Sequence, residues 1–209
     1  MFTGIVGGVG RIVQTQSLGA SAAHGLRAEL EAPPGWLDDV SLGDSIAISG
    51  ACMTVTLIDP PAQRFHVDVS AESLDKTVGL DVAGPVNLEK SLRASDRLGG
   101  HMVSGHVDGV GVVRAFAPAG ESWLLRVAAA GSLARFLAAK GSITVNGVSL
   151  TVNRVEDGPQ GCEFEVNLIP HTLSVTTLGA LRTGQRVNLE IDLIARYVER
   201  MLSAAKPQR

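Results

Sequence analysis

A chain of 209 residues is longer than one minimal domain requires and suits two domains of about 100 residues each. Hydrophobic residues account for 45% of the chain and charged residues for 19%, which excludes an intrinsically disordered protein. The formal net charge is −3 without any block of like charges, which excludes a nucleic-acid partner held by clustered Lys and Arg.

The sequence predicts a cytoplasmic protein without membrane association. Its first residues, MFTGIVGGVGRIV, lack the basic stretch and the unbroken apolar stretch of a signal peptide. No segment approaches the roughly 18 apolar residues of a membrane span. The two cysteines, Cys52 and Cys162, lie far apart without metal-ligand spacing. Free thiols are therefore favoured over a disulfide, and no metal site is expected.

Short β-strands are predicted along most of the chain. The alternation typical of a half-buried strand occurs in SIAIS from Ser45, FHVDV from Phe65, SITVN from Ser142 and FEVNL from Phe164. Clusters rich in Gly and Pro, such as APPG and DPPAQ, separate the strands. This spacing predicts a small closed antiparallel barrel in each half, because closure leaves no exposed sheet edge. A β-sandwich is the alternative architecture.

The two halves of the chain repeat each other in four blocks. The matching blocks are MFTGIVGGVG and MVSGHVDGVG, SIAISGACMTV and SITVNGVSLTV, ESLDKT and HTLSVT, and VNLE in both halves. They keep one order at offsets of 97 to 101 residues, as expected where only loops between fixed strands differ in length. The sequence therefore predicts an all-β fold of two tandem Greek-key barrels, at residues 1–97 and 98–191.

The last segment, at 192–209, follows a different pattern. After Asp192, apolar residues recur at helical spacing as one stripe: Leu193, Ile194, Tyr197, Val198, Met201 and Leu202. This spacing predicts an amphipathic C-terminal helix with Asp192 as its N-cap. Packing of the stripe on the chain's own barrel and packing on the same helix of other subunits explain it equally well.

Several motifs together make the chain resemble the riboflavin synthase family along nearly its whole length. They are MFTGIV, GACMTV, LGGHMVSGHVDG, KGSITVNGVSLTV, and IPHTLSVTTLG followed by VNLEIDLIARYVER. The resemblance implies two barrels with a lumazine-binding site each, and a C-terminal helix that assembles a homotrimer. It also implies association with lumazine synthase.

The resemblance further implies a reaction. Two molecules of 6,7-dimethyl-8-ribityllumazine would exchange a four-carbon unit, giving riboflavin and 5-amino-6-ribitylamino-pyrimidinedione, without a metal or an organic cofactor. This is the last step of riboflavin biosynthesis. A duplicated fold suits the reaction because it offers two similar pockets for two copies of one molecule, of which one donates and the other accepts.

Donor and acceptor need different chemistry, and the repeats differ at reactive positions. Three unlike pairs align: Cys52 with Ser149, His106 with Ile5, and Phe2 with Val103. A thiol suits addition to an electrophilic ring carbon, and an imidazole suits proton transfer near neutral pH. The catalytic candidates are Cys52, His106, Phe2 and Ser45. A lone Cys in a strand is otherwise a small buried hydrophobe, and His101, five residues before His106, is otherwise structural.

The expected substrate-binding residues come from the resemblance, and short hydroxyls among them suit the polar edge of a pteridine-like ring. They are Gly4, Ile5, Val6, Cys52, Met53, Thr54, Asp68, Val69, Ser70, Ala71, Glu72, Ser73, Gly105, His106, Val107, Lys140, Ser149, Leu150, Thr151, Asn167, Leu168, Ile169, Pro170, His171, Thr172 and Asp192. Lys140 is alternatively an ordinary exposed lysine, and Asp192 is a helix cap, a ribityl contact, or both.

One position departs from the family pattern. Ser49 stands where an Asn is expected, whereas the second half keeps Asn146. Loss of this amide is expected to alter ring orientation in the first pocket.

The alternative function is that of a non-catalytic lumazine- or flavin-binding protein, such as the antenna proteins of luminous bacteria. Those proteins share the duplicated barrel. Cys52 and the GGHMVSGH segment favour the enzyme, because binding alone does not require a thiol and an imidazole.

Overall fold

The first half of the chain folds into a closed six-stranded antiparallel barrel. The computed structural model describes residues 1–21, 23–159 and 161–204. The strands of this barrel are β1 (Gly8–Ser17), β2 (Leu26–Glu31), β3 (Ser45–Ile48), β4 (Ala51–Asp59), β5 (Arg64–Val69) and β6 (Gly84–Lys90). They close in the order β1-β2-β5-β4-β3-β6, with helix α1 (Ala71–Lys76) between β5 and β6.

The second half repeats this barrel. Its strands are β7 (Gly109–Ala119), β8 (Ser122–Ala130), β9 (Ser142–Val145), β10 (Val148–Gly158), β11 (Gly161–Leu168) and β12 (Arg186–Ile191). Their cyclic order is that of the first barrel, and α3 (Pro170–Val175) occupies the place of α1. A short helix, α2 (Gly131–Ala134), precedes β9, and a 3₁₀ turn (Thr177–Ala180) follows α3. The all-β fold with two tandem barrels is confirmed, and the sandwich alternative is wrong.

Each barrel has its own core, built by the alternation seen in the sequence. Phe65 on β5 and Phe164 on β11 occupy equivalent positions, and both are fully buried. Their strand neighbours alternate between buried and partly or fully exposed, because successive side chains of a strand point to opposite faces.

The segments that precede β1 and β7 lie between the two barrels. We call them the crossing segments, residues 2–7 and 103–108. Phe2 and Val103 pair with each other in an antiparallel bridge. Val6 packs against the core of the second barrel, and Val107 packs against the core of the first. Each barrel is therefore completed by the start of the other repeat.

The hairpin turns β3–β4 and β9–β10 meet at a seam between the barrels. A Cβ at Gly147 would lie 2.7 Å from the backbone nitrogen of Gly50, so only glycine fits this approach. The Nδ2 of Asn87 donates to the carbonyl of Asn146 (2.8 Å), and the Nδ2 of Asn188 donates to the carbonyl of Ser49 (3.0 Å). Because these bonds run from each barrel to the other, they fix the relative orientation of the two.

The predicted C-terminal helix is confirmed as α4 (Leu193–Ala204), and residues 205–209 of the predicted tail lie outside the described residues. Its stripe does not pack on the chain's own barrel, since its members are 44–64% exposed from Ile194 onward: Ile194, Tyr197, Val198, Met201 and Leu202. Within the described ranges, no helix is both long and apolar enough to cross a membrane.

Candidate active site

A cavity of about 220 Å³ lies where β4, α1 and the second crossing segment meet. Its lining is drawn from both repeats: Ala51, Cys52, Met53, Glu72, Ser73, Lys76, Thr77, Gly105, His106 and Val107. We call it the first site. It brings together the two principal catalytic candidates, Cys52 from the first repeat and His106 from the second.

Cys52 reaches the first site because the backbone of the crossing segment comes very close to it. The backbone nitrogen of Cys52 donates to the carbonyl of Gly105 (2.8 Å). Gly105 has a φ of +79°, and a Cβ there would lie 2.6 Å from the Cβ of Cys52 and 2.9 Å from the ring of Phe2. Glycine is thus required beside the thiol, for both its conformation and its small size.

Phe2 packs against Cys52 on the buried side of the first site. It is fully buried and forms a small apolar cluster with Ala47 and Val103, against which the half-buried Cys52 packs. His106 is exposed. The site thus combines a thiol against an apolar wall with an accessible imidazole.

The equivalent place on the second barrel, which we call the second site, has different groups. The backbone nitrogen of Ser149 donates to the carbonyl of Gly4 (2.8 Å), which repeats the contact between Cys52 and Gly105. Ile5, 53% exposed, stands where His106 stands in the first site. The positions at which the two repeats differ therefore lie in two separate sites, and each site has its own side chains.

His101 also belongs to the second site. Its Nδ1 is 2.7 Å from the Oγ of Ser149, and its Nε2 is 3.3 Å from the Oγ1 of Thr144. Burial lowers the pKa of His101, although the nearby Asp192 carboxylate opposes the shift. In the sequence, only its place in the GGH motif, five residues before His106, distinguishes His101 from a structural histidine.

Ser45 lines a second cavity, which shares no lining residue with the first site. It lines a polar space of about 580 Å³ together with Thr3, Ile5, Glu89 and Arg97, while Cys52 and His106 line the first site. Thr54 pairs with Ser45 across β3 and β4.

The paired segments 68–73 and 167–172 run from the ends of β5 and β11 into α1 and α3. Asp68 forms two hydrogen bonds with the Arg27 guanidinium (2.7 and 2.9 Å), which lowers the pKa of that carboxyl. Ser70 caps α1 by accepting from the backbone nitrogen of Ser73 (3.0 Å). Glu72 and Ser73 line the first site.

Lys76 and Thr77 line the first site too, although neither is among the residues predicted from the sequence. The signal was present, because both lie in the repeated block ESLDKT.

Two further predicted residues have structural roles visible here. Lys140 is exposed at a φ of +69°, and its backbone nitrogen donates to the carbonyl of Val152 (2.7 Å). Asp192 caps α4, since its Oδ1 accepts from the backbone nitrogen of Ile194 (2.9 Å).

Ser49 lies in the seam, where it is 8% exposed with a φ of +45°. Its Oγ is 3.3 Å from the backbone nitrogen of Asn87. In the second barrel the side-chain oxygen of Asn146 accepts from the backbone nitrogen of Asn188 (2.8 Å). Ser49 therefore makes, through its hydroxyl, the inter-strand contact that Asn146 makes through its amide. This contact lies at the seam, and Ser49 does not line the first site.

Cys162 lies on β11, in the core of the second barrel. It is 3% exposed, and burial raises the pKa of its thiol, as in a structural cysteine. Among the described residues, no three His, Cys, Asp or Glu side chains are grouped to hold a metal ion.

Comparison with known proteins finds the lumazine binding domain twice, at residues 3–91 and 104–192. The riboflavin synthase of Mycobacterium bovis is 43% identical over 208 residues, covering 98% of this chain and 100% of the relative. That of Actinobacillus pleuropneumoniae is 42% identical over 204 residues, covering 97% and 90%.

Solved structures of LumP share the fold. LumP complexed with riboflavin has a TM-score of 0.78 at 26% identity, and LumP complexed with 6,7-dimethyl-8-(1'-D-ribityl) lumazine has a TM-score of 0.77 at 24% identity. Both matches cover 91% of this chain and 99% of the LumP chain.

Proposed function

Because the chain belongs to the riboflavin synthase family and carries two lumazine-binding domains, we propose that it converts two 6,7-dimethyl-8-ribityllumazine molecules into riboflavin and 5-amino-6-ribitylamino-pyrimidinedione. The observation that carries this function is the meeting of unlike groups in the first site. Cys52 and His106 come from different repeats and line one cavity, while Ser149 and Ile5 hold the equivalent positions of the second site.

The reaction assigns a role to each group. The C7 methyl of one lumazine must lose a proton to become a carbon nucleophile, and the exposed imidazole of His106 is suited to move it. The Cys52 thiol is suited to add to an electrophilic ring carbon. Phe2 packs against Cys52, and Ser45 would act from the separate polar cavity that it lines with Ile5.

Binding falls to the two sites together. Met53, Glu72, Ser73 and Val107 would contact the lumazine of the first site. Gly4, Ile5 and Val6 would join Ser149 and the segment 167–172 around the lumazine of the second site, with His101 behind Ser149. The proposed division at 1–97, 98–191 and 192–209 gives each barrel one site, completed by the other repeat.

A single incubation tests the activity. Purified protein treated with a chelator and given only the lumazine should form one riboflavin for every two substrate molecules, measured by riboflavin fluorescence and absorbance. A strict requirement for a metal or for a nicotinamide cofactor contradicts the proposal. Binding without turnover favours the antenna-type alternative, which the likeness to LumP supports.

Variants of the first site test the assignment of the residues. His106→Ala should lower turnover by about 100-fold, since general acid–base catalysis typically contributes ~10²–10⁴-fold. Cys52→Ser, which copies Ser149, should also lower turnover strongly, and both should leave riboflavin affinity within a few-fold. Thr54→Val, at a predicted binding residue, is the variant for comparison, and it should mainly weaken binding with little effect on turnover. Near-normal turnover in both first-site variants would overturn these roles without affecting the family.

We also propose how the chain assembles and where it acts. Both proposals follow from the family resemblance, and α4 further supports the assembly. Its exposed apolar stripe supports a homotrimer formed through this helix. A cytoplasmic location and association with lumazine synthase belong to the same proposal.

A further inference from the structure

A buried carboxylate holds the second crossing segment. Glu190, at the end of β12, is 3% exposed. Its Oε1 accepts from the backbone nitrogen (2.7 Å) and the Oγ (2.6 Å) of Ser104, and its Oε2 accepts from the backbone nitrogen of Gly105 (3.0 Å). His106 is the next residue in the chain, so the carboxylate binds the backbone immediately before the residue that carries the imidazole.

Glu89 repeats this arrangement on the first crossing segment. Its Oε1 accepts from the backbone nitrogen and the Oγ1 of Thr3 (both 2.7 Å), and its Oε2 accepts from the backbone nitrogen of Gly4 (3.0 Å). It is 8% exposed, and burial raises its pKa against the lowering effect of these hydrogen bonds. We call each of these carboxylates, together with the backbone groups that it binds, a glutamate clamp. Glu89 and Glu190 are the last residues of the two VNLE blocks, so the clamp is repeated in the sequence as well.

Gly105 and Gly4 each form a further hydrogen bond with the other barrel. The carbonyl of Gly105 accepts from the backbone nitrogen of Cys52, and the carbonyl of Gly4 accepts from that of Ser149 (both 2.8 Å). A continuous path therefore leads from Glu190 through Gly105 to Cys52, with His106 attached to it. Displacing a reacting group by about 1 Å can cost ~10²-fold in rate, so the accuracy of this path matters for catalysis.

We propose that Glu190 is a positioning residue that fixes His106 against Cys52, and that Glu89 does the same for Ile5 against Ser149. The inference rests on the proposed function of the first site. A carboxylate is needed because both oxygens accept hydrogen bonds at once. The amide of glutamine would turn an N–H toward one of the donors, either Gly105 or Ser104.

The test compares Glu190→Gln with Glu163→Gln, a control on β11 away from both crossing segments. Both are made in the full-length protein. In Glu190→Gln, hydrogen exchange of the Ser104 and Gly105 amides, the two that donate to Glu190, should accelerate about tenfold or more, and the NMR signals of the His106 imidazole should shift. Its kcat should fall about 10- to 100-fold with KM within a few-fold. Glu163→Gln should match the wild type in all these measurements.

Ser104 provides a milder variant that decides the matter if Glu190→Gln does not fold. Ser104→Ala removes one donor and should reproduce part of the exchange and kcat changes. Ser104→Thr should keep the wild-type exchange rates and kcat, because threonine retains the hydroxyl and Thr3 makes the same bond to Glu89 in the first repeat. Wild-type exchange and kcat in either Glu190→Gln or Ser104→Ala would overturn the inference. If the wild type makes no riboflavin, the proposed function fails, whereas the exchange measurements still decide whether the carboxylate orders this segment.

Discussion

His101 is a buried titratable side chain whose role depends on its neighbours rather than on its motif. It bonds to Ser149 and Thr144, and burial lowers its pKa below the ordinary value. A neutral imidazole can donate through one nitrogen and accept through the other, and each hydroxyl can donate or accept, so the neutral ring can bond to both hydroxyls. His101 therefore orients the hydroxyl that stands where the first site has its thiol.

This lowered pKa predicts a pH dependence of stability. Between the folded pKa of His101 and its unfolded value of about 6.5, the unfolded chain binds more protons than the folded chain. The free energy of unfolding should therefore fall as the pH falls from about 6.5 through the folded pKa. His101→Gln should flatten this dependence in denaturant titrations at several pH values. The exposed His24→Gln serves as the control, and an unchanged slope in His101→Gln contradicts the prediction.

At the scale of elements, α4 is anchored at its base and leaves its apolar stripe exposed. The Arg196 guanidinium is 2.8 Å from Oδ1 of Asp108, two residues beyond His106, and Arg135 pairs with Glu199 (3.1 Å). These contacts fix the direction of the helix while the stripe faces solvent. An anchored helix with an exposed apolar face is suited to bind other copies of itself.

Removal of this stripe should change the oligomeric state. Deleting the chain from Leu193 onward, or introducing the single charge of Met201→Glu, should convert a trimer into monomers, because the exposed apolar surface loses its partners. Ser203→Glu, on the opposite side of α4, should leave the trimer intact. Light scattering of the variants and the wild type measures this. A full-length protein that is already monomeric contradicts the assembly proposal.

At the scale of the whole molecule, the two barrels are joined by the seam and by the crossing segments, so neither site is built from one repeat. Asn87 and Asn188 each reach across the seam to a turn of the other barrel. Hydrogen bonds of this kind contribute about 1 kcal/mol each, but they also impose one orientation. That orientation places His106 and Cys52 in the lining of one cavity.

Crowding at the seam is testable with two glycines of similar conformation. Gly147→Ala places a Cβ 2.7 Å from the backbone nitrogen of Gly50, whereas Gly184→Ala meets nothing within 4 Å. Both have a positive φ, of +79° and +89°, so both variants pay a similar conformational cost. Gly147→Ala should lower the free energy of unfolding by about 1–3 kcal/mol more than Gly184→Ala, measured by denaturant titration. Equal losses would show that the seam is not tightly packed.

The sequence by itself determined the two barrels, the C-terminal helix and the family. These features follow from local patterns: strand alternation is set by the two-residue period of a strand, and the repeat is visible as four collinear blocks. The sequence also indicated where the halves differ, at Cys52 and Ser149 and at His106 and Ile5.

Only the tertiary structure decided which of these residues meet. An alignment of repeats gives equivalent positions, but it does not state which barrel a crossing segment completes, and that depends on contacts between residues far apart in the chain. The fold therefore placed Cys52 and His106 in one cavity, Ser45 in a separate cavity and Ser49 in the seam, and it added Lys76 and Thr77 to the first site. It also revealed the glutamate clamps, because a buried carboxylate is recognised by the donors around it and not by its neighbours in sequence.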